Sequence, residues 1–291
     1  MFFGLWLISA IIGYQTQFFV GETLLLFLPA MLGMTLLGFW DDNLDLPVFK
    51  RLAIQFILAF VFILVLMGLE ILDPAKNPVF SILGLFYAIL GLLGIVWSTN
   101  LYNFMDGMDG LATIEALFVL GIGGFICYQH EAVELSLLSF IMMISLAGFL
   151  VWNWPKASVF MGDVGSYCLG CLISLLAIVS YWQYEVSIVF WLILYGLFWF
   201  DATLTLLRRF FLRKNIMEPH RDAGFHRLLQ AGYSQQQLLC GVIVINTMLA
   251  FLACYADYNP EYRMVCFVLS IIVLTLVSLW IERRQPLLKD A

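Results

Sequence analysis

The feature that most constrains this chain is a succession of apolar runs, each about the length a helix needs to cross roughly 30 Å of hydrocarbon. Ten can be marked, near 2–20, 23–40, 52–72, 79–97, 111–128, 135–152, 164–182, 186–207, 236–256 and 264–281. Only 12% of the 291 residues are charged against 63% hydrophobic, and mean hydropathy is +0.97, which excludes an ordinary soluble domain. A backbone in lipid must satisfy its own hydrogen bonds, and the helix does so within one segment. The expected fold class is therefore all-α: a polytopic transmembrane helix bundle of about ten spans, read as a single integral-membrane domain over 1–291.

Lys and Arg set the orientation. With the loop after the second run placed in the cytoplasm, twelve of the fourteen lie inside, and only Lys76 and Arg263 lie outside. Both termini are then cytoplasmic, and the inner loops are 41–51, 98–110, 153–163 and 208–235. The first run lacks a basic start and a small-residue cleavage site, so no cleavable signal is expected. Cys168 and Cys171 form a C-x-x-C inside an apolar run, where small buried residues are the expected reading rather than metal or redox chemistry. No nucleic-acid partner is expected.

The polar residues gather on the inner face. "NLYNFMDGMDGLA" (100–112) spaces Asn100, Asn103, Asp106 and Asp109 three apart, and on a regular helix that spacing carries successive side chains around the axis. Gly107 and Gly110 are expected to break the helix and wrap the four groups around one point. The plainer reading, a capped helix end, needs one such residue and leaves three unexplained. Asp41 and Asp42 are adjacent carboxylates at a span end, diverging by about 100° on a helix and so suited to different tasks; a solvated helix end is the alternative. "FMGDVGS" (160–166) flanks Asp163 with glycines, a pattern that also fits an ordinary turn. In 208–235, His220, Arg221, His226 and Arg227 recur at intervals of six, beyond what orientation requires. Arg208, Arg209, Arg213 and Lys214 read as orientation charges.

Carboxylates and carboxamides opposite Arg and His suit a hard divalent cation together with a diphosphate. Mg²⁺ takes few protein oxygens and shares substrate phosphates, and Mn²⁺ fits the same description. The residues point to a phosphorylated soluble donor, and the position at the membrane edge points to a lipid acceptor.

The order of these motifs resembles the polyprenyl-phosphate N-acetylhexosamine-1-phosphate transferase superfamily, glycosyltransferase family 4, from about residue 20 to 240. "DATLTLLRR" (201–209) and "EPHRDAGFHRLLQAGYS" (218–234) look most like the branch that initiates bacterial O-antigen and similar surface polysaccharides. The resemblance implies transfer of sugar-1-phosphate from a UDP-N-acetylhexosamine to undecaprenyl phosphate in the bacterial inner membrane, with release of UMP. It implies Asp163 as the Mg²⁺ ligand with Asn103 near the metal, Asp41 as the proposed base, and Asp42 beside it at the lipid phosphate. Asp106 and Asp109, with Asn100 in the same motif, fall at nucleotide-binding positions. His220, Arg221 and His226 fall in the loop that holds the donor phosphates. A homodimer is a further expectation. The family's usual first helix and basic loop have no counterpart before residue 2. A transporter or ion pathway is the rival class, with Asp201 inside an apolar run its best support; a structural scaffold would leave the motifs unexplained.

Overall fold

In a computed structural model, residues 21–71, 82–215 and 221–287 are described. The described residues contain helices and turns and no strand. In chain order the helices are α1 (Gly21–Leu44), α2 (Val48–Ile71), α3 (Ile82–Met105), α4 (Leu111–Gln129), α5 (Val133–Asn153), α6 (Gly162–Tyr184), α7 (Ile188–Leu194), α8 (Gly196–Phe211), α9 (Gly224–Gln230), α10 (Gln235–Tyr258) and α11 (Arg263–Arg284). The protein is an all-α, multi-pass membrane protein. Seven described helices are long and apolar enough to span a bilayer, or eight if one bent pair counts as a span. The expected run 2–20 lies outside the described residues, and 23–40 is occupied by α1.

One expected span is broken. The run 186–207 divides into α7 and α8, bent by 75° at Tyr195. A continuous apolar stretch conceals such a bend, because hydropathy reports burial and not direction. A second difference concerns 98–110: α3 continues through Asn100 and Asn103 to Met105, leaving only the turn at 106–110. Asn100 supports the helix there, donating from Nδ2 to the Val96 carbonyl one turn back at 2.7 Å. The 208–235 segment is likewise partly helical, through the end of α8 and all of α9.

The described residues form two compact units, one of 21–103 with 161–178 and one of 104–160 with 179–287. In the first, Phe27 meets Phe62 edge to face at 6.4 Å, above a core that includes Met31, Met34 and Leu37. A Cβ on Gly38 would stand 2.4 Å from the Asp163 carbonyl oxygen, so α1 and the start of α6 touch backbone to backbone. Much of α2 faces outward: Ile57, Phe60 and Leu64 are exposed, as expected of a lipid-facing surface. In the second unit, Leu111, Leu120, Phe190, Phe198, Leu249 and Leu274 are buried.

Candidate active site

In the first unit the carboxylates converge. "DDNLDLP" ends α1 with Asp45 at φ 46°, a left-handed position that Asp tolerates, and the chain re-enters a helix at Pro47, whose carbonyl accepts the first amide bonds of α2. This tight reversal brings Arg51 back to Asp41. Asp41 is 4% exposed and receives three donors: the Leu46 N–H on Oδ1 at 3.0 Å, and the Arg51 Nη1 and the Tyr167 hydroxyl on Oδ2. Burial works against its charge, but the Tyr167 and Arg51 hydrogen bonds and the Arg51 charge hold its carboxyl below the ordinary carboxylate range. It is a carboxylate at neutral pH.

Asp42 points elsewhere, as the 100° divergence predicts. Its Oδ1 accepts the Asp163 N–H at 3.0 Å and its Oδ2 the Val164 N–H at 3.3 Å, so it caps the start of α6. Gly162 makes this possible, having φ 64° and no Cβ, which would stand 2.8 Å from Asp42 Oδ2.

On α6, Asp163, Ser166 and Tyr167 lie at i, i+3 and i+4 and share a face. Asn103 of α3 donates to Asp163 Oδ1 at 2.6 Å and to Ser166 Oγ at 3.0 Å. The Asp163 carboxyl neighbours Asp41 and Asp42, whose negative charge bears on it. Asn100, three residues earlier, bonds instead to Gln55 of α2, joining two helices. The Asn/Asp series therefore serves several partners.

Among the described residues no three His, Cys, Asp or Glu side chains are arranged to enclose a metal. What Asp163 and its neighbours offer is an open, oxygen-rich site where carboxylates crowd together. Such crowding favours a cation, and the donor set fits Mg²⁺, which needs only one or two carboxylates when phosphates and water complete its shell.

In the second unit, Asp109 Oδ2 accepts the Ala157 N–H at 3.0 Å, and the buried Asn153 accepts from the Gly110 N–H and the Thr113 hydroxyl. These bonds tie the 106–110 turn, which carries Asp106, to the 154–159 segment. Gly107 lies so close to α9 that a Cβ there would stand 3.0 Å from His226 Cε1. The Asp106–Asp109 turn and His226 are thus brought together. Arg221 is exposed, its carbonyl receiving a bond from Gln230. His220 lies outside the described residues.

Arg227, the fourth member of the six-residue repeat, is 3% exposed and held by Glu282 at 2.6 Å and the Gln285 carbonyl. Arg209 is paired with Asp222 and the Asn215 carbonyl. Arg208 reaches Glu282 at 3.4 Å and Ser278 at 3.1 Å. The orientation reading of Arg208 and Arg209 was thus incomplete, as it was for Arg51, since all three make specific ion pairs. Asp201, the residue best suited to an ion pathway, accepts the Gly224 N–H with both oxygens and caps α9. Arg51 and Tyr167 were not anticipated as site residues. Arg51 was accounted for by topology, and Tyr167 sits in an apolar run where only its phenolic oxygen, needing a partner once buried, gave a signal.

Residues 24–181 match the model of glycosyl transferase family 4. The chain belongs to that family. The matched stretch contains Asp41, Asp42, Asn103, Asp106, Asp109, Asp163 and Tyr167, and ends before the Arg221–His226 segment. A Bacillus subtilis (strain 168) family relative, named probable undecaprenyl-phosphate N-acetylglucosaminyl 1-phosphate transferase, is 30% identical over 213 residues, covering 72% of this chain and 59% of its own. A phospho-N-acetylmuramoyl-pentapeptide-transferase of Streptococcus pneumoniae (strain 70585) is 32% identical over 185 residues, 60% of this chain and 56% of its own. One of the same name from Halalkalibacterium halodurans is 26% identical over 261 residues, 86% of this chain and 78% of its own. This chain thus spans less than two thirds of the length of the first two.

Proposed function

We propose that the protein transfers an N-acetylhexosamine-1-phosphate from a UDP-sugar to undecaprenyl phosphate at the cytoplasmic face of a bacterial inner membrane, releasing UMP and starting a cell-surface polysaccharide such as O-antigen. The observation that carries this reading is the meeting of Asp41, Asp163, Asn103 and Arg51 inside the family-matched stretch. Carboxylates facing one another beside a single guanidinium suit a phosphoryl-transfer site that works with a cation.

In this reading an oxygen of the lipid phosphate attacks the sugar-bearing phosphorus. The bond from that phosphorus to the bridging oxygen breaks, and UMP leaves with the electron pair. A phosphate monoester has a second pKa of about 6, so the acceptor is largely ionised and needs no strong base. Asp41, already accepting three donors, acts by fixed placement. Asn103 orients Asp163, which would hold Mg²⁺ or Mn²⁺; the bound ion would neutralise charge developing on the leaving phosphate. Asp42 holds the α6 turn that presents Asp163. Asp106 and Asp109 contact the nucleotide, and Arg221 and His226, with His220, contact the donor diphosphate.

Incubating the purified protein with undecaprenyl phosphate, Mg²⁺ and a panel of UDP-sugars tests this directly. UMP release matched by labelling of the lipid is expected with at least one UDP-N-acetylhexosamine. Release from none of them overturns the reading.

A further inference from the structure

We propose that Tyr167 is a positioning residue for the transfer, acting through Asp41; this rests on the transferase reading above. Tyr167 is fully buried on α6, and its hydroxyl donates to Asp41 Oδ2, the oxygen that also receives Arg51. It lies one turn beyond Asp163 on the same helix face, so one hydroxyl joins the end of α1 to the turn carrying Asp163. The two carboxyls belong to one cluster, since Asp42, beside Asp41 in the chain, accepts the Asp163 N–H. Without the phenolic donor, Asp41 keeps Arg51 and the Leu46 N–H but loses its tie to the helix that carries Asp163. Tyr167 therefore sets the spacing of the pair by tying the Asp41 carboxylate to the helix face that presents Asp163. The ring fills the same core space with or without its oxygen, so the hydroxyl can be removed without opening a cavity.

Tyr167→Phe should lower kcat about tenfold or more, the scale of a hydrogen bond to a charged group, while KM for the UDP-sugar stays unchanged. A double-mutant cycle with Asp41→Asn separates positioning from general packing. If Tyr167 acts through Asp41, the double variant should turn over no more slowly than Asp41→Asn alone. A wild-type kcat in Tyr167→Phe, or losses that multiply in the double variant, would overturn the proposal. The same cycle read on thermal unfolding midpoints needs no activity. The combined shift should be smaller than the sum of the single shifts, and strictly additive shifts would also overturn it. Absence of UMP release by the wild-type protein would sink the transferase reading alone, leaving the unfolding cycle to decide on Tyr167.

Discussion

The two units treat buried charge differently. In the second, ionisable side chains meet acidic, basic or amide partners: Arg209 with Asp222, Arg227 and Arg208 with Glu282, His130 with Asp257 at 2.9 Å, and Glu115 with the Asn246 amide at 2.6 Å. In the first, Asp41, Asp42 and Asp163 come together and Arg51 alone forms an ion pair with them among the described residues. Matched groups hold helices together, since a buried charge is tolerable only when paired. A surplus of like charge destabilises the fold unless something else neutralises it, and such unresolved sites are where function concentrates. The contrast suits the ion pairs of the second unit to holding helices together and the crowded carboxylates of the first to the proposed cation-dependent step.

The largest expected effect tests the surplus. Asp163→Asn removes one of the crowded charges and the proposed anionic ligand. Turnover should fall by about a thousandfold or more, near 4 kcal/mol of transition-state stabilisation, while the unfolding midpoint holds or rises. EDTA should abolish turnover in the unmodified protein and Mg²⁺ restore it. Full turnover in EDTA would remove the reason for treating the surplus as functional.

The converse variant lies in the second unit. Arg227→Ala removes the buried member of its pair and leaves the partly exposed Glu282 paired with Arg208, which should cost about 1–2 kcal/mol of stability, the scale of a lost hydrogen bond to a charged group. Once the protein is folded at low temperature, kcat should stay close to wild type. Thermal unfolding in detergent alongside UMP release checks both halves. A large loss of kcat with an unchanged midpoint would mean that the six-residue Arg repeat acts as one site and that the division between the units fails.

How much of this was legible in sequence depends on the range of the interaction. Helix positions follow from local hydropathy, and runs such as 111–128 and 135–152 correspond closely to α4 and α5. The motif residues stand out in the sequence because Asn and Asp at fixed spacing beside an apolar run are unusual, although in the fold Asn100 and Asp109 make structural bonds. Partners were not. Arg51 meets Asp41 only because Asp45 and Pro47 reverse the chain, and Tyr167 meets Asp41 across 126 residues. Spacing also suggested that Asn100 and Asn103 share a target. In the fold Asn100 reaches Gln55 and Asn103 reaches Asp163, since a three-residue step rotates the side chain by about 60° and neighbouring helices divide the directions.

A smaller effect separates exposed from engaged cations within one loop. Arg221 is exposed, whereas Arg209 and Arg227 are engaged by carboxylates. Arg221→Ala should reduce kcat/KM for the UDP-sugar by about ten- to a hundredfold, the range of a lost charge-assisted hydrogen bond. Arg221→Lys should recover only part, because an ammonium lacks the planar fork. Arg213→Ala and Lys214→Ala should leave the kinetics near normal. Equal losses at Arg213 and Arg221 would reduce the loop to bulk positive charge.

The smallest expected effect compares one device used in both units. Asp42 caps α6 by accepting the Asp163 and Val164 N–H groups, and Asp201 caps α9 by accepting that of Gly224. Each carboxylate reaches its helix from a distant segment, satisfying amides that the first turn cannot and placing negative charge at the positive end of the helix. Asp42→Ala and Asp201→Ala should each cost about 1 kcal/mol of stability, the usual loss on removing a cap. Their effects on turnover should differ. Losing the α6 cap loosens the turn that aims Asp163, so Asp42→Ala should lower kcat, whereas Asp201→Ala should change the unfolding midpoint alone. Asp42→Asn should restore part of the stability, because its single amide oxygen can still accept the Asp163 N–H, and less of the turnover, because the amide takes its charge away from beside Asp163. If Asp42→Ala and Asp201→Ala behave alike in both measurements, Asp42 is a helix cap and nothing more, and the functional cluster of the first unit contracts to Asp41 and Asp163.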